Sequence, residues 1–380
     1  MEAKPRPFEL FNFDHGQTSA KEIKIGPYAI AVSDEHCANL PLLARHSTTS
    51  FIADLDQGRQ VKRDEKVAGE FVVTAKVLAE GDPEPSQFFP AEAGATSDYD
   101  LVLLLSFLTG RHVYLEADLG EDPRRHYEGP VVGAGFFDPF PQEAWTGRGG
   151  VATAGLSDAL YCLVNANATR ELIGKGAYLN ASFDKVVSVW AKKAGQTKYA
   201  DRASLDKGLQ AVDEWLVGVR ATVAEKFRSV GVTEGVIDDM VARLRASSNG
   251  PSAVMKMTSY LQESGLFPNE PTEEQLKRLK GFNAVRNAIA HSGAVRWSED
   301  LGQDVVARVA ASSLAVIAEV VELALARQLG VFDHRLIKQR ENVVKFFETG
   351  IFRGHAVFKE DLEAFVERIS KEWTEDGTMN

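Results

Sequence analysis

The sequence predicts an α+β protein in two parts, a β-rich N-terminal domain over residues 1–150 and an all-helical bundle over residues 151–380. Three observations predict it. Between Glu22 and Leu119, apolar residues mostly alternate with others in short runs, the period of half-buried strands. Residues 129–150 mix Gly, Pro and aromatics and end in Gly147-Arg148-Gly149-Gly150, the composition of a connection between domains. From Val151 onward the apolar period changes to that of helices and stays there.

Within the first part, Ile23 and Ile25, then Tyr28, Ile30 and Val32, alternate across Gly26-Pro27 and predict a short hairpin or bend. Residues 51–55 and 69–77 are further strand candidates, joined by a charged stretch over 59–66, and 81–95 is rich in Pro, Glu and Gly, as a loop is. Residues 98–109 predict one buried helix, opened by Ser97 or Asp98 and stopped by Gly110, with a strand following over 111–115. In the second part, helices are expected over 156–165, 183–194, 204–230, 233–247, 253–265 and 272–291. Residues 301–329 add a long Ala- and Val-rich helix buried against 272–291. The apolar positions of 343–373 suggest a further pair of short elements. Helices joined by short loops make an up-and-down bundle.

Composition bounds the chemistry. A chain of 380 residues with 44% hydrophobic and 26% charged side chains can bury sizeable cores and suits two domains. Cys37 and Cys162 are its only cysteines, which fits a reducing cytoplasm and no cysteine-held zinc. The first sixteen residues hold no apolar run that could serve as a signal peptide, and no segment nears the ~18 apolar residues of a membrane span. The expected location is therefore the cytoplasm, with no membrane partner. With 43 basic and 54 acidic residues the net charge is −11, so any nucleic-acid role needs a locally basic surface.

The densest polar pattern lies in residues 272–295. Gln275 stands after Thr272 at capping-box spacing, and Leu279, Phe282, Val285 and Ile289 form an apolar stripe. Asn283, Asn287 and His291 stand four apart and share another face, Arg286 flanks them, and Gly293 ends the pattern. Arg286-Asn287-Ala288-Ile289-Ala290-His291 resembles the signature of HEPN domains, all-helical bundles of which many are metal-independent endoribonucleases. The likeness covers about twenty residues closely and the helical half in general.

That resemblance implies RNA as substrate, no cofactor and no metal. It implies His291 as general acid/base, Arg286 as the cation that stabilises the phosphorane and Asn287 as the orienting group. Histidine titrates near neutrality and the guanidinium fork matches phosphate oxygens, so the residue types suit those roles. Asn283, Lys280 and Arg296 would contact substrate, with Lys277 and Arg278 adding positive field. One His per chain is thin for acid and base together, so the resemblance also implies a homodimer through the motif helix. In HEPN toxins paired with a nucleotidyltransferase antitoxin a Tyr comes soon after the motif His; here Ser292-Gly293-Ala294-Val295 stands in that place. A β-rich domain ahead of such a bundle is similar to single-chain bacterial defence nucleases, implying antiphage defence or toxin-like growth arrest released by a phage-derived trigger or regulatory partner.

The competing expectation is a non-catalytic scaffold that binds nucleotide or partner. Other chemistries lack their residues. His15, His36 and His46 have no metal-ligand spacing, Arg124-Arg125-His126 suits a charged loop, and neither a Gly-x-Ser-x-Gly elbow nor a phosphate loop occurs.

Overall fold

The computed structural model describes residues 6–15, 22–42, 52–54, 59–61, 72–80, 97–109, 112–115, 155–168, 172–196, 202–247, 250–292, 303–330, 334–353 and 355–356. The protein is α+β: an antiparallel sheet in the N-terminal part and mostly helices after it. By backbone contact it divides into two compact units, Met1–Val186 with Leu266–Asn380, and Val187–Gly265. The boundary expected at 150, the stretch 129–150 and the loop 81–95 lie outside the described residues.

In the first unit β1 (Arg6–Phe11), β2 (Glu22–Ile25) and β3 (Tyr28–Ala31) precede a short helix α1 (Asp34–Asn39). Then come β4 (Ile52–Asp54), β5 (Arg59–Val61), β6 (Val73–Ala79), the helix α2 (Ser97–Thr109) and β7 (Tyr114–Leu115). Five strands form one sheet in the order β2-β3-β6-β1-β7, and β4 and β5 pair separately. The β2–β3 hairpin turns at Gly26, whose φ of 57° suits glycine, with Ile25 opposite Tyr28. Alternation puts Ile23, Ile25, Tyr28, Ile30, Ala75, Val77 and Ala79 in the core. α2 is buried along nearly all its length, as a helix held between a sheet and another helix must be.

Three corrections belong here. β1 was not expected, because Phe8-Glu9-Leu10-Phe11 is a brief signal behind Pro7; its partners Val77 and Leu115 stand far along the chain. Within the charged stretch 59–66, Arg59–Val61 pairs with β4 instead of merely joining strands. The strand expected over 111–115 is confined to Tyr114–Leu115, since the Val113 amide donates to Ser106 Oγ at 3.0 Å.

The helices α3 (Ser157–Ala168) and α4 (Leu172–Lys193) come next. α4 begins eleven residues before the expected 183, as Gly174, Gly176 and Asn180 mask its first turns in sequence. The second unit holds α5 (Arg202–Ser229), α6 (Glu234–Ser247) and α7 (Ala253–Glu263), the last capped by Ser252 Oγ on the Met255 amide at 3.2 Å. Its described core is small: Trp190 stacks edge-on with Tyr260 and donates to Glu263 at 3.0 Å.

Back in the first unit, α8 (Glu273–Ser292), α9 (Gln303–Gln328) and α10 (His334–Thr349) pack on one another, and α9 also meets α3. The long helix is thus buried against the motif helix as expected, and against α10 besides. Phe347 gathers Phe267, Phe282 and Phe346 with ring centroids 5.3, 5.8 and 5.2 Å away. Such fully buried rings each stabilise by roughly 1.5–3 kcal/mol. The chain then turns back in a hairpin of β8 (Ile351–Phe352) and β9 (His355–Ala356), which corrects the all-helical expectation for residues 151–380: that part is mostly helical, and Gly350, at a φ of 74°, ends α10 and lets the chain reverse into paired strands.

Candidate functional site: the polar layer between α4 and α8

α8 starts where its capping box puts it. Gln275 Oε1 accepts from the Thr272 amide at 2.8 Å, and Thr272 Oγ1 accepts from the Gln275 amide at 3.3 Å. Leu279 and Phe282 are buried as the apolar stripe requires, which fixes the rotation of the helix and with it the face that Asn283 and Arg286 present. The side chains of Val285, Asn287, Ile289 and His291 lie outside the described residues, as does Arg296 entirely; the backbone of α8 extends to Ser292.

Asn283 and Arg286 are buried, at 7% and 5% exposure, so the polar residues of α8 run into the body of the bundle. There α4 presents Asn180 and Asp184, four residues and one turn apart. The Arg286 guanidinium is ion-paired with Asp184, whose own side chain is half exposed. Asn180 Nδ2 donates to the Arg286 carbonyl at 3.2 Å, which ties the two helices at the same level. Asn180 Oδ1, Asn283 Oδ1 and Arg286 Nε complete no hydrogen bond among the described residues. Buried polar atoms normally find partners, so this layer has capacity for a polar ligand or water. Asn180 and Asp184 went unnoticed in sequence because the expected helix began at 183; the i, i+4 spacing was their only signal.

The cations around the motif divide. Lys280 is exposed, Lys277 reaches Glu274 at 3.5 Å, and Arg278 is occupied, donating to the Phe347 and Glu348 carbonyls at 3.0 and 2.8 Å. Arg278 therefore closes the C-terminal end of α10. His36 serves α1, its Nδ1 accepting from the Ser33 amide at 3.1 Å.

A second polar centre lies on α9, where Glu319 and Glu322 are 1% and 0% exposed. Arg353 holds Glu319 Oε1 from Nε at 2.7 Å and from the terminal nitrogen at 2.6 Å. Gln339 Nε2 donates to Glu322. Burial pushes both carboxyls up, Glu322 well above the usual range with the charge of Glu319 adding to it; burial pushes Lys175 down, against the pull of Glu322. Asp100 in α2 is a third buried acid, lifted by burial from 3.8 to about 6. Ser157 lies close enough to oppose that shift, yet among the described residues neither carboxylate oxygen completes a hydrogen bond of normal geometry.

Among the described residues no cluster of three His, Cys, Asp or Glu is placed to hold a metal, and no helix is long and apolar enough to cross a membrane. Compared with known proteins, the chain matches no family model, no curated protein and no solved structure.

Proposed function

We propose that the chain is a metal-independent endoribonuclease of the HEPN kind, acting in antiphage defence or toxin-like growth arrest. The observation that supports this reading is Arg286, fixed by Asp184 and Asn180 in a polar layer with unfilled hydrogen-bonding capacity, on the helix that carries His291 five residues on. His291 takes the proton of the RNA 2′-hydroxyl, whose oxygen attacks the adjacent phosphorus. The 5′-oxygen leaves and receives a proton, giving a 2′,3′-cyclic phosphate and a 5′-hydroxyl. Arg286 offsets the phosphorane charge, Asn287 orients the imidazole, and Asn283, Lys280 and Arg296 hold the strand. A second copy across the motif helix supplies the other histidine for the acid step.

A scaffold that binds a partner or nucleotide without cutting is the second reading. The pairing of Arg286 with Asp184 and the net charge of −11 favour it, since a neutralised, buried guanidinium attracts phosphate poorly.

Cleavage of a mixed RNA pool in excess chelator, beside His291→Ala and Arg286→Ala, separates the two. The nuclease reading expects cyclic-phosphate ends from wild type and a loss of at least about a hundredfold in folded His291→Ala, the usual scale for a lost acid/base. Undiminished cutting by both variants removes His291 and Arg286 from the chemistry. No cutting by wild type, with RNA bound intact, supports the scaffold.

A further inference from the structure

We propose that Glu322 is kept as a neutral carboxylic acid whose proton closes a two-bond ring with the Gln339 amide, making the α9–α10 contact a pH-sensitive lock. The inference does not rest on the ribonuclease reading. α9 and α10 pack on one another, and these two side chains meet in the interior at 0% and 7% exposure. Gln339 Nε2 donates to Glu322 Oε2, which fixes the nitrogen end of the amide. Two oxygens remain beside that bond, Glu322 Oε1 and Gln339 Oε1, both buried and neither with a hydrogen-bond partner among the described residues. While Glu322 is ionised both are acceptors, so neither can satisfy the other. One proton on Glu322 Oε1 makes it a donor, and the Gln339 carbonyl oxygen is an acceptor on the amide already bound to it. A single proton then satisfies two buried atoms at once.

The surrounding charges lead to the same state. Glu319 stands one turn before Glu322 on the same helix, and its carboxylate disfavours a second negative charge beside it. Arg353, from the β8–β9 turn, also acts on Glu322, but its guanidinium is engaged by Glu319 Oε1. Lys175 of α4 acts on Glu322 as well, and burial pushes its own ammonium down. Among the described residues, α3 and α8, which pack against α9, add no charged group that acts on Glu322. Burial is the largest influence on this carboxyl and raises it well above its ordinary 4.5.

The lock acts on α10, and α10 braces the motif helix. Phe347 of α10 packs on Phe282 of α8, and Arg278 of α8 closes the end of α10 through the Phe347 and Glu348 carbonyls. A carboxyl raised in the fold contributes fully below its ordinary 4.5, and the contribution is lost as pH rises through the raised value. Acid therefore fastens α10 to α9, and base loosens it.

Glu322→Gln keeps a donor and an acceptor in this place with no proton to lose. Infrared difference spectra of the full chain near pH 7, wild type minus Glu322→Gln, should show the C=O stretch of a protonated carboxyl. In Gln339→Met that band should persist at higher frequency, because the carbonyl loses its donor. Protection of the α10 amides against hydrogen exchange, corrected for the intrinsic rate, should fall with rising pH more steeply in wild type than in Glu322→Gln. The difference should be about tenfold per pH unit above about pH 5, since one proton is released on opening. A carboxylate band in place of the acid band overturns the proposal and leaves Glu322 ionised beside Lys175. An acid band unmoved in Gln339→Met overturns the ring, and the same pH dependence of exchange in wild type and Glu322→Gln overturns the lock.

Discussion

α5 and α9 have nearly the same length, 28 and 26 residues, and both are rich in Ala, Val and Leu, yet they are used in opposite ways. From Leu314 to Ala326 α9 is almost wholly inside, covered by α3, α8 and α10. Its carboxylates could not stay in water, so Glu319 and Glu322 are buried with it and depend on Arg353 and Gln339. α5 keeps its described charges outside and leaves Trp215 and Val217 exposed. A helix enclosed by its own chain must solve its electrostatics internally, whereas one whose described charges face water needs no internal partner for them.

The largest break in that comparison is at Arg353, which sits in the left-handed region at a φ of 50°, as the β8–β9 turn requires, and stacks on Phe352 at 5.5 Å. Arg353→Ala leaves Glu319 buried without a cation. Breaking such a pair costs about 3–5 kcal/mol when both partners are buried, and we expect about 3 here because Arg353 is more than half exposed. Urea unfolding measures it, and Arg353→Ala/Glu319→Gln should recover most of the loss.

Asp100 carries the same lesson to α2. Its carboxyl is raised in the fold, from 3.8 to about 6, so the fold favours the neutral acid. That contribution is complete below about pH 4 and is lost as pH rises through about 6. Asp100→Asn should therefore be the more stable protein at pH 8, by up to about 3 kcal/mol at 1.36 kcal/mol per pKa unit, and should flatten thermal stability between pH 4 and 8. Equal pH profiles for the two proteins would contradict this.

The smallest effect sharpens the α5 side. A Cβ built on Gly208 meets nothing within 4 Å, so Gly208→Ala should add about 0.5–1 kcal/mol of helix stability. A thermal midpoint that falls instead would mean that another surface closes on this position.

Local chemistry was legible. Thr272 and Gln275 forecast the first turn of α8, Leu279 and Phe282 its buried side, and alternation across Gly26-Pro27 the β2–β3 hairpin, because each is decided within one or two turns of chain. The candidate site was legible only in part. Spacing grouped Asn283, Arg286 and His291, but Asp184, about a hundred residues earlier, could not be read from that helix.

The sequence alone determined the β2–β3 hairpin, the run of long helices in the later part of the chain and the start of the motif helix, since periodicity and capping are properties of neighbouring residues. Tertiary structure decided that β1 lies inside the sheet, that Arg286 turns to Asp184 and that Glu319 meets Arg353. Those outcomes come from desolvation. Once a helix or strand is covered, each polar group on its buried face must accept whichever partner the fold brings near, and no local pattern specifies that partner.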